Sequence, residues 1–172
     1  FIGCDSPHEV VFTKNATESF NLIARSWGGS NLSQGDAVLI TDMEHHANIV
    51  PWQILSAEKG FEIRWLPLTP DGLLDLDQLD QLLDGVKMVS VTAMSNVLGT
   101  LNPISEIAER AHAAGALVAV DGSQYVPHLP TDYRGPAARG RCQEGPRTPP
   151  HPQAKARRKG RGAQGGGALA KG

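Results

Sequence analysis

The stretch Ala116-Leu117-Val118-Ala119-Val120-Asp121-Gly122-Ser123-Gln124 decides the fold, because an apolar run delivers a carboxylate directly into a glycine turn. Five apolar residues in succession predict a strand buried on both faces, and ligands in open α/β sheets collect beyond the carboxyl ends of such strands. Asp121 is therefore either a functional acid or a simple turn residue, since Asp-Gly is a common turn pair. This stretch alone leaves the two interpretations equal.

The 172-residue chain consists of two segments of unlike composition that meet near residue 135. Residues 1–135 carry 7 Lys and Arg against 17 Asp and Glu, a net charge of −10, whereas residues 136–172 carry 9 against 1, a net charge of +8. The second segment has no Val, Ile, Met, Phe, Tyr or Trp, and 13 of its 37 residues are Gly or Pro. Such a segment cannot bury enough surface to offset its ordering entropy. We therefore predict a folded domain at 1–135 and a disordered basic tail at 136–172.

The cysteines and the N-terminus bear on the cellular compartment. Cys4 and Cys142 lie at opposite ends of the chain, without the spacing of a metal site or a redox pair, which favours a reduced, cytoplasmic setting. The sequence starts without an initiator Met or the features of a signal peptide, and no window approaches a membrane span. We expect a chain that begins within a longer protein and neither spans nor binds a membrane.

Apolar runs alternate with helical patterns throughout residues 1–135. The predicted strands cover residues 9–13, 37–40, 63–68, 88–93 and 116–120. Asn15 and Asn48 are the expected caps of the first two helices, and Gly28-Gly29 and Gly115 are expected helix stops. The helix that Gly115 ends is expected to carry one apolar face, formed by Ile104, Ile107, Ala108 and Ala111. The alternation predicts an α/β fold with a mostly parallel sheet, flanking helices and right-handed crossovers.

Polar groups follow several of the predicted strands. The loop Asn15–Glu18 offers backbone N–H groups and a hydroxyl at a helix N-terminus, which favours phosphate, although a plain helix cap is the alternative. The run Glu44-His45-His46 offers a ring that can stack on a planar cofactor and transfer a proton, or else solvated histidine. A metal site is not favoured there, because adjacent loop residues point apart and HExxH spacing is absent.

Two amides complete the set of candidate groups. Asn96 follows the strand at 88–93 and is also compatible with a turn, and Gln124 offers a donor and an acceptor near Asp121. A phosphate seat, a flat ring, an amide and a carboxylate that keeps a pyridine nitrogen protonated together describe a pyridoxal phosphate pocket. The predicted chemistry is carbanion chemistry on an amino acid.

Three motifs carry a resemblance to a known family. Residues 43–52, 95–100 and 120–124 read MEHHANIVPW, SNVLGT and VDGSQ. Over about residues 5–134 the chain resembles the class V aminotransferase family, and within it the SufS-like cysteine desulfurases and selenocysteine lyases. The first motif is highly specific, whereas the third is shared among fold type I pyridoxal enzymes. The resemblance implies that residues 1–135 are part of the large, pyridoxal-phosphate-binding domain of that fold.

The resemblance also implies roles for particular residues in binding pyridoxal 5'-phosphate. The implied contacts are Ala16 and Thr17 with the phosphate, His45 with the ring face and in proton transfer, Asn96 near the ring oxygen and the substrate carboxylate, Asp121 with the pyridinium nitrogen, and Gln124 with the phenolic oxygen. The implied reaction converts L-cysteine to L-alanine and an enzyme persulfide, which supplies iron-sulfur cluster assembly through a sulfur-acceptor protein. The resemblance further implies a homodimer.

The chain departs from the family pattern in the groups that complete catalysis. It has no Ser-Gly-His-Lys sequence to provide the Schiff-base lysine. Its last lysines, Lys155, Lys159 and Lys171, lie in the tail. Cys142 matches no family position, so the nucleophilic cysteine is also missing. We expect weak, noncovalent cofactor binding at best and no turnover by this fragment. Our hypothesis for the tail is a reading-frame shift near residue 135, which translation of the other two frames of the gene tests.

Two alternative functions remain open. The same fold and cofactor also suit transamination or selenocysteine cleavage. The basic tail would alternatively give a non-enzymatic fragment that binds nucleic acid without sequence preference. Nucleic acid is the less favoured partner, because the tail lacks interleaved aromatic residues for base stacking.

Overall fold

Four β-strands alternate with helices in residues 2–131, which the computed structural model describes. The strands are β1 (Ala37–Thr41), β2 (Glu62–Leu66), β3 (Val86–Thr92) and β4 (Leu117–Asp121). The α-helices are α1 (Ala16–Ile23), α2 (Gly29–Asn31), α3 (Val50–Lys59), α4 (Leu79–Leu82) and α5 (Ile104–Ala113). A π-helical turn at Ala24–Gly28 joins α1 to α2, and short 3-10 turns lie at Pro7–Glu9, His46–Asn48 and Leu76–Gln78.

The strands form one parallel sheet in the order β2-β1-β3-β4, which confirms the predicted fold class. The chain passes from β1 outward to β2 and then returns to place β3 on the opposite side of β1. The strand order therefore reverses between β1 and β3. Ligands of open α/β sheets bind beyond the carboxyl ends of the strands at such a reversal.

Apolar layers cover both faces of the sheet. Alternate residues of β1 point to opposite faces, so Ala37 and Leu39 join the layer beneath α4 and α5. Val38 and Ile40 join the opposite layer, which α3 closes with Trp52 and Leu55. All five residues of β1 are buried. The helices thus enclose the central strand on both faces, and its carboxyl end emerges at one edge of the sheet.

Strand β4 does not have the burial predicted from its sequence. It pairs with β3 and is an edge strand within the described residues, so Leu117 and Val120 are 48% and 41% exposed. Asp121 at its end is 6% exposed. An apolar run indicates a strand, but full burial of that strand also requires a neighbouring strand on each side of it in the sheet.

The segment before α1 is also different from the prediction. Residues 9–13 are not a strand, because Pro7–Glu9 forms a 3-10 turn and Val11 and Phe12 project from irregular backbone with 71% and 95% exposure. Gly28 and Gly29 do not stop the first helix, since both adopt right-handed helical angles and the helix continues to Asn31. The predictions for α5 are confirmed: its buried face carries Ile104, Ile107, Ala108 and Ala111.

The predictions for the tail concern residues that lie outside 2–131, including Cys142, Lys155, Lys159 and Lys171. Within residues 2–131, no helix has the length and apolar character needed to cross a membrane.

Candidate functional site

The candidate phosphate seat is the N-terminus of α1. Asn15 caps the helix, as predicted, and its side-chain oxygen accepts a hydrogen bond from the N–H of Glu18 at 3.0 Å. The Glu18 carboxylate reaches back to the N–H of Lys14, one residue before the position expected in a capping box. Within the described residues, the N–H groups of Ala16 and Thr17 donate no hydrogen bond, so they are the free donors at this end.

The turn after β1 carries His45 on its surface. The Nδ1 atom of His45 accepts a hydrogen bond from the N–H of Ala47 at 3.1 Å, so a neutral ring carries its proton on Nε2. His45 and His46 are both exposed, and their rings meet edge to face with centroids 6.1 Å apart. Helix α1 contacts the turn His46–Asn48, so α1 lies beside the segment that follows His45.

Glu44, immediately before His45, is buried at the junction of β1 and β3. Its Oε1 accepts hydrogen bonds from the Thr41 hydroxyl at 2.7 Å and from the Thr92 N–H at 2.8 Å. Its Oε2 accepts a hydrogen bond from Asn48 Nδ2 at 2.7 Å. Burial raises the pKa of Glu44, the three hydrogen bonds oppose that rise, and the negative charge of Asp121 adds to it. Glu44 and Asp121 therefore interact across the end of β3.

Asn48 is not the helix cap that the sequence predicts. It is fully buried, and its Oδ1 accepts hydrogen bonds from Trp52 Nε1 at 3.2 Å and from the Ser90 hydroxyl at 2.5 Å. Ile49 precedes the helix instead and makes no side-chain capping bond. The Asn48 side chain thus links α3, β3 and Glu44. Its partner Ser90 is 42 residues away in sequence, so local patterns could not identify this link.

Asp121 forms the turn contact that the sequence allowed and leaves its second oxygen unbonded. Its Oδ1 accepts a hydrogen bond from the Ser123 N–H at 2.9 Å, which is the turn-capping role. Its Oδ2 accepts no hydrogen bond from the described residues, although the side chain is buried. The Ala93 N–H donates to the Asp121 carbonyl at 2.9 Å and fixes the strand end. Asp121 therefore presents one oxygen to the space beyond the sheet.

Asn96 and Gln124 lie on exposed loops at the same edge of the sheet. Asn96 is at the tip of a compact loop, in which the Ser95 hydroxyl accepts hydrogen bonds from the N–H groups of Val97 and Leu98. The side chains of Asn96 and Gln124 make no hydrogen bond within residues 2–131, including none to His45 or Asp121. The structure thus brings α1, His45, Glu44 and Asp121 together and leaves these two amides on separate loops.

The sequence did not predict the buried network that is formed by Glu44, Asn48, Ser90, Trp52 and Thr92. The available signal was the spacing of Glu44, Asn48 and Trp52, which lie four residues apart in turn. Within residues 2–131, no group of three or more His, Cys, Asp and Glu side chains is placed to hold a metal ion.

The comparison with protein families identifies the class to which this arrangement belongs. The model of the class-V aminotransferases matches residues 1–136. The chain belongs to the class-V aminotransferase family. Curated relatives include the cysteine desulfurases of Enterobacter sp. (strain 638) and Shigella sonnei (strain Ss046), which are 51% and 52% identical over 135 residues, or 78% of this chain and 33% of each relative. The chain therefore spans about a third of the length of these relatives.

Solved structures in this family have the same fold. The Escherichia coli cysteine desulfurase CsdA has a TM-score of 0.68 and 35% identity, covering 70% of this chain and 31% of the solved chain. The apo cysteine desulfurase of Thermococcus onnurineus NA1 has a TM-score of 0.68 and 34% identity, covering 72% and 30%. A C-DES variant with glycine covalently linked to its PLP cofactor has a TM-score of 0.62 and 26% identity, covering 70% and 32%. The parallel sheet of this chain is thus part of the fold type I pyridoxal enzyme architecture.

Proposed function

We propose that this chain is the cofactor-binding part of a pyridoxal 5'-phosphate-dependent cysteine desulfurase. The observation that carries the proposal is the free Oδ2 of Asp121, the unbonded and accessible oxygen of a largely buried residue at the carboxyl edge of a parallel sheet in a member of this family. The names of the curated relatives support the choice of cysteine desulfurase over other activities. The proposed substrate is L-cysteine, and the products are L-alanine and a persulfide.

The residues present fit pyridoxal phosphate at both ends of the molecule. The free N–H groups of Ala16 and Thr17, with the positive end of the α1 dipole, suit its phosphate. The free oxygen of Asp121 suits its pyridine nitrogen, which an ionised carboxylate keeps protonated. His45 would stack on the ring, Asn96 would bond near the ring oxygen and the substrate carboxylate, and Gln124 would bond the phenolic oxygen.

Each of these side chains has a defined task in the proposed reaction. The bound cofactor supplies an electron sink for negative charge that develops on the amino acid. The Ala47 N–H fixes the ring orientation of His45, so Nε2 is the nitrogen positioned to exchange a proton. Asp121 holds its charge next to the proton on the pyridine nitrogen. The low exposure of the Asp121 residue would strengthen that interaction by lowering the local dielectric.

The further parts of the proposal concern the longer enzyme to which such a chain corresponds. We infer a cytoplasmic homodimer that passes sulfur to an acceptor protein for iron-sulfur cluster assembly. The Schiff-base lysine and the nucleophilic cysteine have no counterpart in this sequence, so the 172-residue chain by itself should bind the cofactor without a covalent bond and without turnover.

Equilibrium dialysis of pyridoxal phosphate against the 172-residue chain tests this assignment. We expect saturable binding that weakens on the order of tenfold or more in Asp121→Asn, because a charge-assisted hydrogen bond is lost. Asp84→Asn is the matched control, since Asp84 is exposed and precedes β3 at the opposite edge of the sheet. Absence of saturable binding, or equal binding by Asp121→Asn, would contradict the cofactor assignment. A borohydride-reducible adduct on Lys155, Lys159 or Lys171 would overturn the noncovalent mode.

A further inference from the structure

Glu44 joins two strand ends that carry different parts of the candidate site. One oxygen of its carboxylate accepts hydrogen bonds from Thr41 at the end of β1 and from the backbone of Thr92 at the end of β3. His45 follows Glu44 directly in sequence. Thr92 pairs with Asp121 in the β3–β4 register, and the adjacent Ala93 N–H bonds the Asp121 carbonyl. A single carboxylate therefore connects the segment of His45 to β3, the strand that pairs with β4 at Asp121.

The direction of the hydrogen bonds in this network is fixed by Trp52. An indole N–H only donates, so the side-chain oxygen of Asn48 must face Trp52 and the Ser90 hydroxyl. The Asn48 NH₂ group must then face Glu44, as observed at 2.7 Å. Rotation of the Asn48 amide would break both bonds to its oxygen. Residue 44 is consequently required to offer an acceptor to Asn48 and a second acceptor to the Thr92 N–H.

We propose that Glu44 is a positioning residue that fixes the imidazole of His45 relative to the carboxylate of Asp121. This role rests on the proposed function, in which His45 and Asp121 contact the same cofactor ring. Glu44 itself is buried and acts through its bonds to β1 and β3. Glu44 lies where the strand order reverses, and its bonds tie the loop after β1 to the end of β3.

The amide of glutamine cannot replace the Glu44 carboxylate. If its oxygen faces Asn48, its NH₂ group meets the Thr92 N–H, and if its oxygen faces Thr92, its NH₂ group meets the Asn48 NH₂. In each orientation, therefore, two hydrogen-bond donors face each other and neither has an acceptor. The exchange Glu44→Gln with Asn48→Asp removes this conflict, because the Gln NH₂ then donates to an Asp oxygen. The second Asp oxygen still accepts from Trp52 and Ser90.

Nuclear magnetic resonance of the 172-residue chain gives a test that does not depend on cofactor. The readouts are the ring nitrogen signals of His45 and the carboxyl carbon signal of Asp121, assigned by difference with His45→Ala and Asp121→Asn. We expect Glu44→Gln to move both signals and Glu44→Gln/Asn48→Asp to return them toward their wild-type positions. Leu79→Ala, a core truncation in α4, is the control for lost stability and should leave both signals in place.

A milder pair of variants decides the matter if Glu44→Gln does not fold. Thr41→Val removes one donor to Glu44, whereas Thr41→Ser retains the hydroxyl. We expect Thr41→Val to move the His45 and Asp121 signals and Thr41→Ser to leave them. The proposal is overturned if the signals stay in place in the Glu44 and Thr41→Val variants, if Leu79→Ala moves them equally, or if the double variant that folds does not restore them.

Pyridoxal phosphate dialysis of the same variants provides the second readout. Affinity should fall in Glu44→Gln, recover at least partly in the double variant and stay at the wild-type value in folded Leu79→Ala. If wild-type chain binds no cofactor, the proposed function fails, while the resonance signals still decide whether Glu44 positions the two residues. If wild-type chain binds and Glu44→Gln binds equally well, the positioning role fails and the proposed function stands.

Discussion

The fold changes the pKa of the Glu44 carboxyl. Burial raises this pKa above the ordinary value of 4.5, and the nearby charge of Asp121 acts in the same direction against three hydrogen bonds. At a pH between the unfolded and folded pKa values, the folded chain therefore tends to keep a proton on this carboxyl that the unfolded chain has released. Its contribution to stability is fully present below the unfolded pKa and is lost as the pH rises through the folded pKa.

The pH dependence of unfolding tests this effect. At high pH, where the wild-type carboxyl is ionised, Glu44→Gln should still lower the free energy of unfolding by on the order of 1–3 kcal/mol, because either orientation of the amide places its NH₂ group against a buried donor. The difference between wild type and Glu44→Gln should shrink as the pH rises, since only the carboxyl titrates. Urea unfolding followed by tryptophan fluorescence between about pH 4 and pH 8 measures it. Leu79→Ala should show a constant difference, and a Glu44→Gln difference that grows with pH would contradict the assignment.

At the scale of elements, the continuous helix from Ala16 to Asn31 depends on close contact with α3 at one glycine. A Cβ added to Gly28 would lie 2.8 Å from Leu55 Cδ2 and 3.3 Å from the Trp52 ring. A Cβ added to the adjacent Gly29 would meet nothing within 4 Å. Both residues have right-handed helical angles, so both backbones accept alanine. The two glycines differ in the space around them and not in conformation.

The alanine substitutions at these positions should therefore have opposite effects. Gly28→Ala should lower the free energy of unfolding by about 1–3 kcal/mol, because the methyl group overpacks the contact with α3. Gly29→Ala should raise it by about 0.5–1 kcal/mol, because alanine has less backbone entropy to lose in a helix. Urea unfolding of the two variants provides the comparison. Equal effects of the same sign would show that α3 does not approach the helix closely at Gly28.

At the scale of the whole molecule, the β4 edge of the sheet is the surface that we expect to limit solubility. Within residues 2–131, β4 pairs on one side and exposes Leu117 and Val120. An unpaired apolar edge strand is a template for association with other chains. We expect the chain to have low solubility for this reason.

Adding a charge to that edge should reduce association. Val120→Lys should increase the monomer fraction in light scattering and sedimentation, because a lysine on an edge strand opposes edge-to-edge pairing. Val97→Lys is the matched control: Val97 is 81% exposed, but it lies in a loop and not on a strand edge. An equal gain from both variants would mean that general surface polarity, and not the β4 edge, controls solubility.

The features that the sequence predicted correctly depend on local chemistry. The Asn15 cap, the buried run of β1 and the buried face of α5 each follow from residues within a few positions of one another. The errors concern partners that are distant in sequence. Residues 9–13 have strand-like composition without a neighbouring strand, β4 has one neighbour where its apolar run suggested two, and Asn48 bonds Ser90 instead of capping α3. The positions of Ala16, Thr17, His45, Asn96, Asp121 and Gln124 as cofactor contacts stay predictions.

The bond between Glu44 and the Thr92 N–H joins residues 48 positions apart, which has a consequence during synthesis on the ribosome. Helix α3 and β2 emerge before β3, so β1 can assemble with them while the Glu44 carboxylate still lacks its backbone donor. Until Thr92 emerges, we expect hydration to keep that carboxylate at the surface of the nascent chain. Withdrawal of Glu44 from water therefore marks the moment at which the nascent sheet gains its third strand.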